Sequence, residues 1–322
     1  MSPPRPTARQ PRAAGACEDR DAMTSPYAGA ILPWYADHAR DLPWRHPAAT
    51  PWSVMVSEIM LHQTPVSRVL PAHAAWLARW PLPAALAEAS PADAVRQWDR
   101  LGYPRRAIRL HASAQLIVSR HGGQVPVSVE ELRALPGVGS YTAAAIASFA
   151  FGRRHAVLDT NVRRVLARVI TGEALPPKTP TVAELRLAET LLPSDGQQAA
   201  QWSVAVMELG ALICTATRPR CTGCPLAGQC AWLRLGRPPA AARHRQAAYQ
   251  GSDRQCRGQL LAVLRAATGG VPADALAAAW HDSAQRARAL AALINDGLVI
   301  RRGDGSLALP GDDPSAARTA GG

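Results

Sequence analysis

Residues 128–151 read SVEELRALPGVGSYTAAAIASFAF, and the five at their centre, Leu135-Pro-Gly-Val-Gly139, decide the fold class. A helical stretch (Ser128 to Ala134) precedes them and an alanine-rich one (Tyr141 to Phe149) follows, so the five form a tight turn between two helices. Gly137 and Gly139 remove side chains where backbone N–H groups and the positive end of the next helix could face a phosphate. Contacts of that kind position a nucleic acid without reading a base. A lone G-x-G would be taken as a plain helix–helix turn. The full LPGVG string followed by a helix favours the phosphate reading, with Gly137, Val138 and Gly139 as the contacts.

Outward from this turn, apolar residues recur at helical spacing from Tyr27 to about Leu235, broken at Pro and Gly, with no alternating strand pattern. That predicts an all-α body. Thr50-Pro51 supplies an N-cap and a proline at the first helical position for a helix through Trp52-Ser-Val-Met-Val-Ser-Glu-Ile-Met-Leu61. Val162, Val165, Leu166 and Val169 mark another helix and put Arg163, Arg164 and Arg168 on its outer face. Residues 1–26, rich in Pro, Arg and Ala, are expected to be disordered, with Met1 or Met23 as the start. After the helical body, residues 236–251 read as a linker, 252–311 as a small α+β module and 312–322 as a disordered tail. Within the module, Leu260, Leu261, Val263 and Leu264 suggest one helix, Ala284 to Ile294 another, and Leu298–Arg302 with Leu307–Leu309 a hairpin. The order resembles a winged helix, though any small α+β domain would fit almost as well.

Lysine and arginine number 36 against 24 acidic residues, a formal charge of +12, so a polyanion is the natural partner. Charge alone does not separate DNA from RNA or an anionic membrane. No run approaches the roughly eighteen apolar residues of a membrane span, and the first residues lack a signal-peptide core, so a cytoplasmic, nucleoid-associated protein is expected. Disulfides are disfavoured there. Four of the six cysteines, Cys214, Cys221, Cys224 and Cys230, follow C-x6-C-x2-C-x5-C. Clustered thiolates bind a soft metal, and by spacing alone zinc and an iron–sulfur cluster stand even. Cys17 and Cys256 lie apart and read as ordinary thiols.

Two carboxylates have contrasting surroundings. Glu58 is set among Val54, Met55, Val56, Ile59, Met60 and Leu61, where desolvation should raise its pKa and let it donate a proton near neutrality. Asp159 ends the apolar run Ala156-Val-Leu158 and precedes a helix, whose N–H groups favour its charged form. Cleavage of a glycosidic bond uses such a pair, because the leaving base must be protonated while positive charge grows on the sugar. The plainer readings are an N-cap for Asp159 and an amphipathic-helix surface position for Glu58.

Together, LPGVG, LDTNV at 158–162 and the four-cysteine string resemble the helix-hairpin-helix DNA glycosylases that carry a [4Fe–4S] cluster, over roughly residues 27–235. Within that superfamily, LPWR at 42–45, SEIMLHQT at 57–64, GYPRRA at 102–107 and MELGALIC at 207–214 look like the MutY-type adenine glycosylases. The resemblance implies a mainly α fold: a six-helix barrel (about 51–135), an iron–sulfur domain (about 27–50 and 136–235) and DNA between them. It turns the four cysteines into [4Fe–4S] ligands. It makes Glu58 the acid that protonates adenine and Asp159 the group that stabilises the oxocarbenium-like sugar, assisted by Asn161 and Tyr141. Trp44, Arg45, Leu61 and Glu208 would line the pocket for the flipped base, Gln63, Leu101 and Tyr103 would sit beside the opposite base, and Thr64 would also bind the substrate. Endonuclease III relatives carry a catalytic lysine where this chain has Tyr141, so little lyase activity is expected. The implied substrate is double-stranded DNA bearing A:8-oxoguanine or A:G mispairs, handled by a monomer. The rivals are a T:G-specific thymine glycosylase and a non-catalytic iron–sulfur DNA-binding regulator. The chain departs from the family in three ways: no Nudix-like domain follows, Pro104 replaces the second tyrosine of GYY, and Arg100 precedes Leu101 where glycine is common. Preference for 8-oxoguanine over guanine therefore has less support than adenine removal.

Overall fold

The computed structural model describes residues 25–240 and 248–312. The expected disorder of residues 1–24 and 313–322, together with Cys17 and the middle of the linker, lies outside the described residues. Fourteen α-helices, three short 3-10 helices, one π-helical turn and one short hairpin account for the regular structure among them. The first, α1 (Ala28–His38), is followed by a barrel of α2 (Pro51–Leu61), α3 (Val66–Arg79), α4 (Pro83–Glu88), α5 (Pro91–Trp98), α6 (Arg105–His121), α7 (Val129–Arg133) and α8 (Ser140–Phe151). Next come α9 (Thr160–Leu166), α10 (Val182–Leu191), α11 (Gly196–Leu212) and the short α12 (Ala231–Arg234). The last elements are α13 (Asp253–Ala266), α14 (Ser283–Asn295), β1 (Ile300–Arg301) and β2 (Leu307–Ala308). No helix among the described residues is long and apolar enough to cross a membrane.

Caps written into the sequence set the helix starts. Thr50 accepts from the Ser53 N–H with Pro51 next, Ser90 does the same ahead of Pro91, and Thr181 with Glu184 forms a full capping box. Two apolar cores result. One, built around Met55, Trp76, Trp98, Leu110 and Ile146, fills the barrel. The other joins Ile31 and Trp34 of α1 to α9, α10, α11 and the cysteine segment. Packing moves the boundary later than residue 135: Val138, Ala143, Ile146 and Ala147 belong to the barrel core, because α8 lies against α2.

The C-terminal module has its expected helices and hairpin. β1 pairs antiparallel with β2, and Val271 bridges Leu307, which gives the helix, bridge, helix, hairpin order of a winged helix. It does not stand off on its linker. Cys256, Leu260 and Leu264 join the barrel core, Arg96 pairs with Asp312, and Arg105 pairs with Asp296.

The helix through Val162 differs from expectation on its supposed outer face. Arg163, Arg164 and Arg168 are all buried. Arg163 meets Glu184 and the Pro177 carbonyl, while Arg164 donates to the carbonyls of Gly210 and Cys214. Arg168 donates to those of Ala174, Thr215 and Ala216. A planar guanidinium with several donors can satisfy a turn of backbone oxygens inside a fold, which a pattern scoring arginine as solvent-facing overlooks.

Candidate active site

A cleft of about 1730 Å³ opens between the two cores, walled by α2, the turn between α7 and α8, the start of α9 and α11. Glu58 reaches it from the middle of α2 and is 5% exposed. Burial, with the nearby Asp159 charge adding to it, pushes its carboxyl up to about 7, against the pull of Tyr141 and Arg45. The Tyr141 hydroxyl, on the first turn of α8, donates to Glu58 Oε2 at 3.3 Å. Asp159 is the N-cap of α9: its Oδ1 accepts from the Val162 N–H at 2.6 Å and its Oδ2 from Asn161 Nδ2 at 2.8 Å. Asn161 is fixed in turn by Arg164, which donates to its Oδ1 at 2.7 Å. Gly210 lets α11 press onto this point, since a Cβ there would lie 2.7 Å from the Asn161 Cβ.

The two carboxylates therefore meet at one site, but their environments are less opposed than their sequence contexts suggest. Burial raises the Asp159 carboxyl too, against the pull of the Val162 N–H, Asn161 and Arg164. What separates the pair is the donors. Asp159 has a partner on each oxygen, whereas Glu58 has one long hydrogen bond and an apolar wall. One is arranged to hold an anion and the other to hold a proton.

Around this pair, Trp44, Arg45 and Leu61 line the cleft. Glu208 does not. It is fully buried behind the wall, where its Oε1 accepts from the Arg40 N–H and Nε and its Oε2 from Arg40 and Arg45 Nη atoms at 2.7 and 2.9 Å. It holds two arginines that do face the cleft.

At the rim, Gln63 and Thr64 follow the end of α2 and line the cleft. Tyr103 is half exposed, and its hydroxyl donates to Gln63 Oε1 at 2.6 Å. Leu101 is buried in the barrel core rather than presented at the rim. Gly137, Val138 and Gly139 line the cleft as a turn whose following helix, α8, has no side-chain cap on its first N–H groups. Gly137 has φ 83°, and a Cβ there would lie 2.9 Å from Arg109, so this position requires glycine twice over.

Several cleft residues escaped the sequence reading. His62 ends α2, its Nε2 lies 3.0 Å from the Thr142 hydroxyl, and burial together with Arg106 pushes its imidazole down. Its place inside SEIMLHQT was the available signal. Arg109 and Arg133 reach the cleft beside the glycine turn, from α6 and α7. Nothing in their spacing distinguishes them from other surface arginines.

The four cysteines come together at the end of α11 and in the turns after it. Cys214, Cys221 and Cys230 all act on the Cys224 thiol, which burial pushes up to about 11. Arg168 lies against the group, with an Nη 3.3 Å from Cys214 Sγ and its guanidinium over the Trp232 ring. Among the described residues, no three His, Cys, Asp or Glu side chains converge tightly enough to hold a single metal ion.

Residues 56–190 match the HhH-GPD superfamily of base excision DNA repair proteins. The chain is 51% identical over 284 residues to an adenine DNA glycosylase of Mycobacterium tuberculosis, covering 88% of this chain and 93% of that one. An alignment of that length exceeds residues 27–235 and so takes in part of the C-terminal module. A thymine/uracil-DNA glycosylase of Pyrobaculum aerophilum is 35% identical over 204 residues, covering 62% of this chain. Among solved structures, a thermostable thymine-DNA glycosylase superposes with TM-score 0.59 at 28% identity, covering 65% of this chain and 95% of its own.

Proposed function

Since the chain belongs to the adenine DNA glycosylases, within the helix-hairpin-helix superfamily of base excision repair proteins, we propose that it excises adenine mispaired with 8-oxoguanine or guanine, using Glu58 as acid and Asp159 as the anion beside the sugar. The observation that carries this reading is the pairing of a buried carboxyl poised near 7 with a fully hydrogen-bonded aspartate in one cleft. Glu58 gives its proton to the departing adenine, so the base leaves neutral. Asp159 holds negative charge where positive charge develops on the sugar, and the Val162 N–H and Asn161 keep its oxygens turned there. Water then takes the base's place. Tyr141 stands where a Schiff-base lysine would be needed for strand cleavage, so the product is an abasic site. The neutral imidazole of His62 and the Arg45 guanidinium complete the wall that faces the extruded base.

The four thiols suit a [4Fe–4S] cluster better than zinc. All four are neighbours, and the resemblance to the adenine glycosylases, rather than the spacing, decides for a cluster. Arg164 and Arg168 supply the positive surroundings a cluster of thiolates requires. Bound there, the cluster would fix the loop carrying Arg218 and Arg220 against phosphate and take no part in the acid–base steps. A Cys221→Ser variant should lose iron and DNA affinity together; full affinity without iron would contradict this role.

The decisive experiment incubates the chain with duplexes bearing A:8-oxoguanine, A:G or T:G pairs and then treats them with alkali. Breaks at adenine only, only after alkali, and absent in Glu58→Gln are expected. Cleavage at T:G, or equal cleavage by the variant, would overturn the reading.

A further inference from the structure

Arg106, near the start of α6, makes a set of contacts that the acid–base site does not use. The residue is buried, and among the described residues no carboxylate pairs with it. One Nη donates to the carbonyls of Ile59, Met60 and His62 at 2.7, 2.9 and 2.8 Å, two in the last turn of α2 and one at its C-cap. The other Nη donates to the Thr64 hydroxyl at 2.9 Å and to the Gly102 carbonyl at 3.0 Å. The guanidinium plane lies 5.4 Å from the Tyr103 ring and 5.2 Å from that of Trp98. One side chain thus ties the end of α2 to the loop before α6.

Those two segments carry the residues at the cleft rim, and both are strained. Gln63 and Tyr103 have φ of 55° and 48°, left-handed values that side chains other than glycine adopt at a cost. They are also joined to each other through the Tyr103 hydroxyl. A helix end could be closed by a single glycine. A fork reaching both segments does more, because it holds two unfavourable backbone turns in one fixed relation. We propose that Arg106 is a positioning residue for base extrusion: it keeps Gln63 and Tyr103 set as a single wedge before DNA arrives. This rests on the reading above, in which that rim enters the duplex.

Lysine at 106 would keep the charge but lose the fork, since one ammonium cannot serve both sets of acceptors. The test follows 2-aminopurine, placed as the target base opposite 8-oxoguanine, under single-turnover conditions with protein in excess. Arg106→Lys should slow the fluorescence rise by on the order of tenfold or more with its amplitude unchanged. Tyr103→Phe, which cuts only the link to Gln63, should slow it less, and the double variant should be no slower than Arg106→Lys alone. A rise at the wild-type rate, a loss of amplitude alone, which marks fewer folded molecules, or additive losses would each overturn the proposal. If Arg106→Lys does not fold, Thr64→Val removes one acceptor from the same guanidinium and is judged by the same outcomes. Failure of the wild type to excise adenine in the alkali assay would reject the functional reading instead, and is scored separately.

Discussion

The hydrogen bond between Tyr141 and Glu58 leads to a prediction whose sign is easy to mistake. Tyr141 donates to the carboxylate and so favours the charged form; removing it should raise the Glu58 carboxyl above its value of about 7. A step that needs the protonated acid runs near its plateau at pH 6 and at roughly a tenth of it at pH 8, from a carboxyl titrating at about 7. Hydrogen bonds to charged groups contribute about 1.5–3 kcal/mol at good geometry, and 3.3 Å is long, so about 1 kcal/mol is the working figure for this one. That moves the midpoint of the alkaline limb upward by roughly 0.7 of a pH unit in Tyr141→Phe. The assay is the single-turnover excision rate from pH 5.5 to 9, read as the midpoint rather than the height, because loss of the phenol also disturbs the pocket. His62 does not produce this limb, since its imidazole is pushed below its usual range. A wild-type profile flat from pH 6 to 8, or a midpoint that stays or falls in Tyr141→Phe, would refute the assignment of the acid.

Glu58→Gln should lose activity while gaining stability. The folded carboxyl titrates near 7 against 4.5 unfolded, so its ionisation costs nothing below pH 4.5 and roughly 3 kcal/mol above pH 7; urea unfolding should show the variant gaining on the wild type between those limits. Equal stability at every pH would mean the carboxyl is well solvated. Arg109→Ala and Arg133→Ala should each flatten the plot of log affinity against log salt by about 0.9 while weakening matched and mismatched duplexes alike. A change confined to mismatched DNA would show base reading instead. Glu208→Gln strips a buried carboxylate from Arg40 and Arg45, and should destabilise by about 2–3 kcal/mol, discounted because Arg40 reaches solvent. An unfolding midpoint unchanged from wild type would show that the cluster adds no net stability.

The fold and half of the site could be read from local sequence because local chemistry sets them. The glycine turn, the Thr50-Pro51 start and the Asp159 cap are each decided within a few residues, and Glu58 is a single acid in a run, Trp52 to Met60, that is buried throughout. The remainder depends on partners far along the chain. Arg40 meets Glu208 across 168 residues, Arg164 reaches the Cys214 carbonyl across 50, and Arg106 finds the end of α2 across 47. No periodicity announces such pairings. Burial of Glu208, expected at the pocket and found behind it, and of Leu101, expected beside the opposite base and found in the barrel core, follows from the same limit. A side chain's neighbours in sequence say how apolar its element is, not which face of that element reaches the cleft.

The buried arginines also change what the net charge means. A formal +12 reads as a surface made for a polyanion, yet Arg106, Arg164 and Arg168 are buried and rest chiefly on backbone oxygens rather than carboxylates, and Arg163, also buried, is paired with Glu184 at the edge of the cleft. The charge of the first three is not cancelled, but it is aimed at helix ends and at the cysteine turns. Three guanidiniums can close those turns where short, irregular backbone would otherwise leave carbonyls unpaired. The guanidiniums that face the cleft are then a smaller set, chiefly Arg40, Arg45, Arg109 and Arg133, and Arg218 and Arg220 are exposed on the cysteine loop. For Arg106, Arg164 and Arg168, substitution should lower stability without altering the salt dependence of binding; for Arg109 and Arg133 it should alter the salt dependence and leave stability unchanged. Composition counts both sets alike, and only their acceptors separate them.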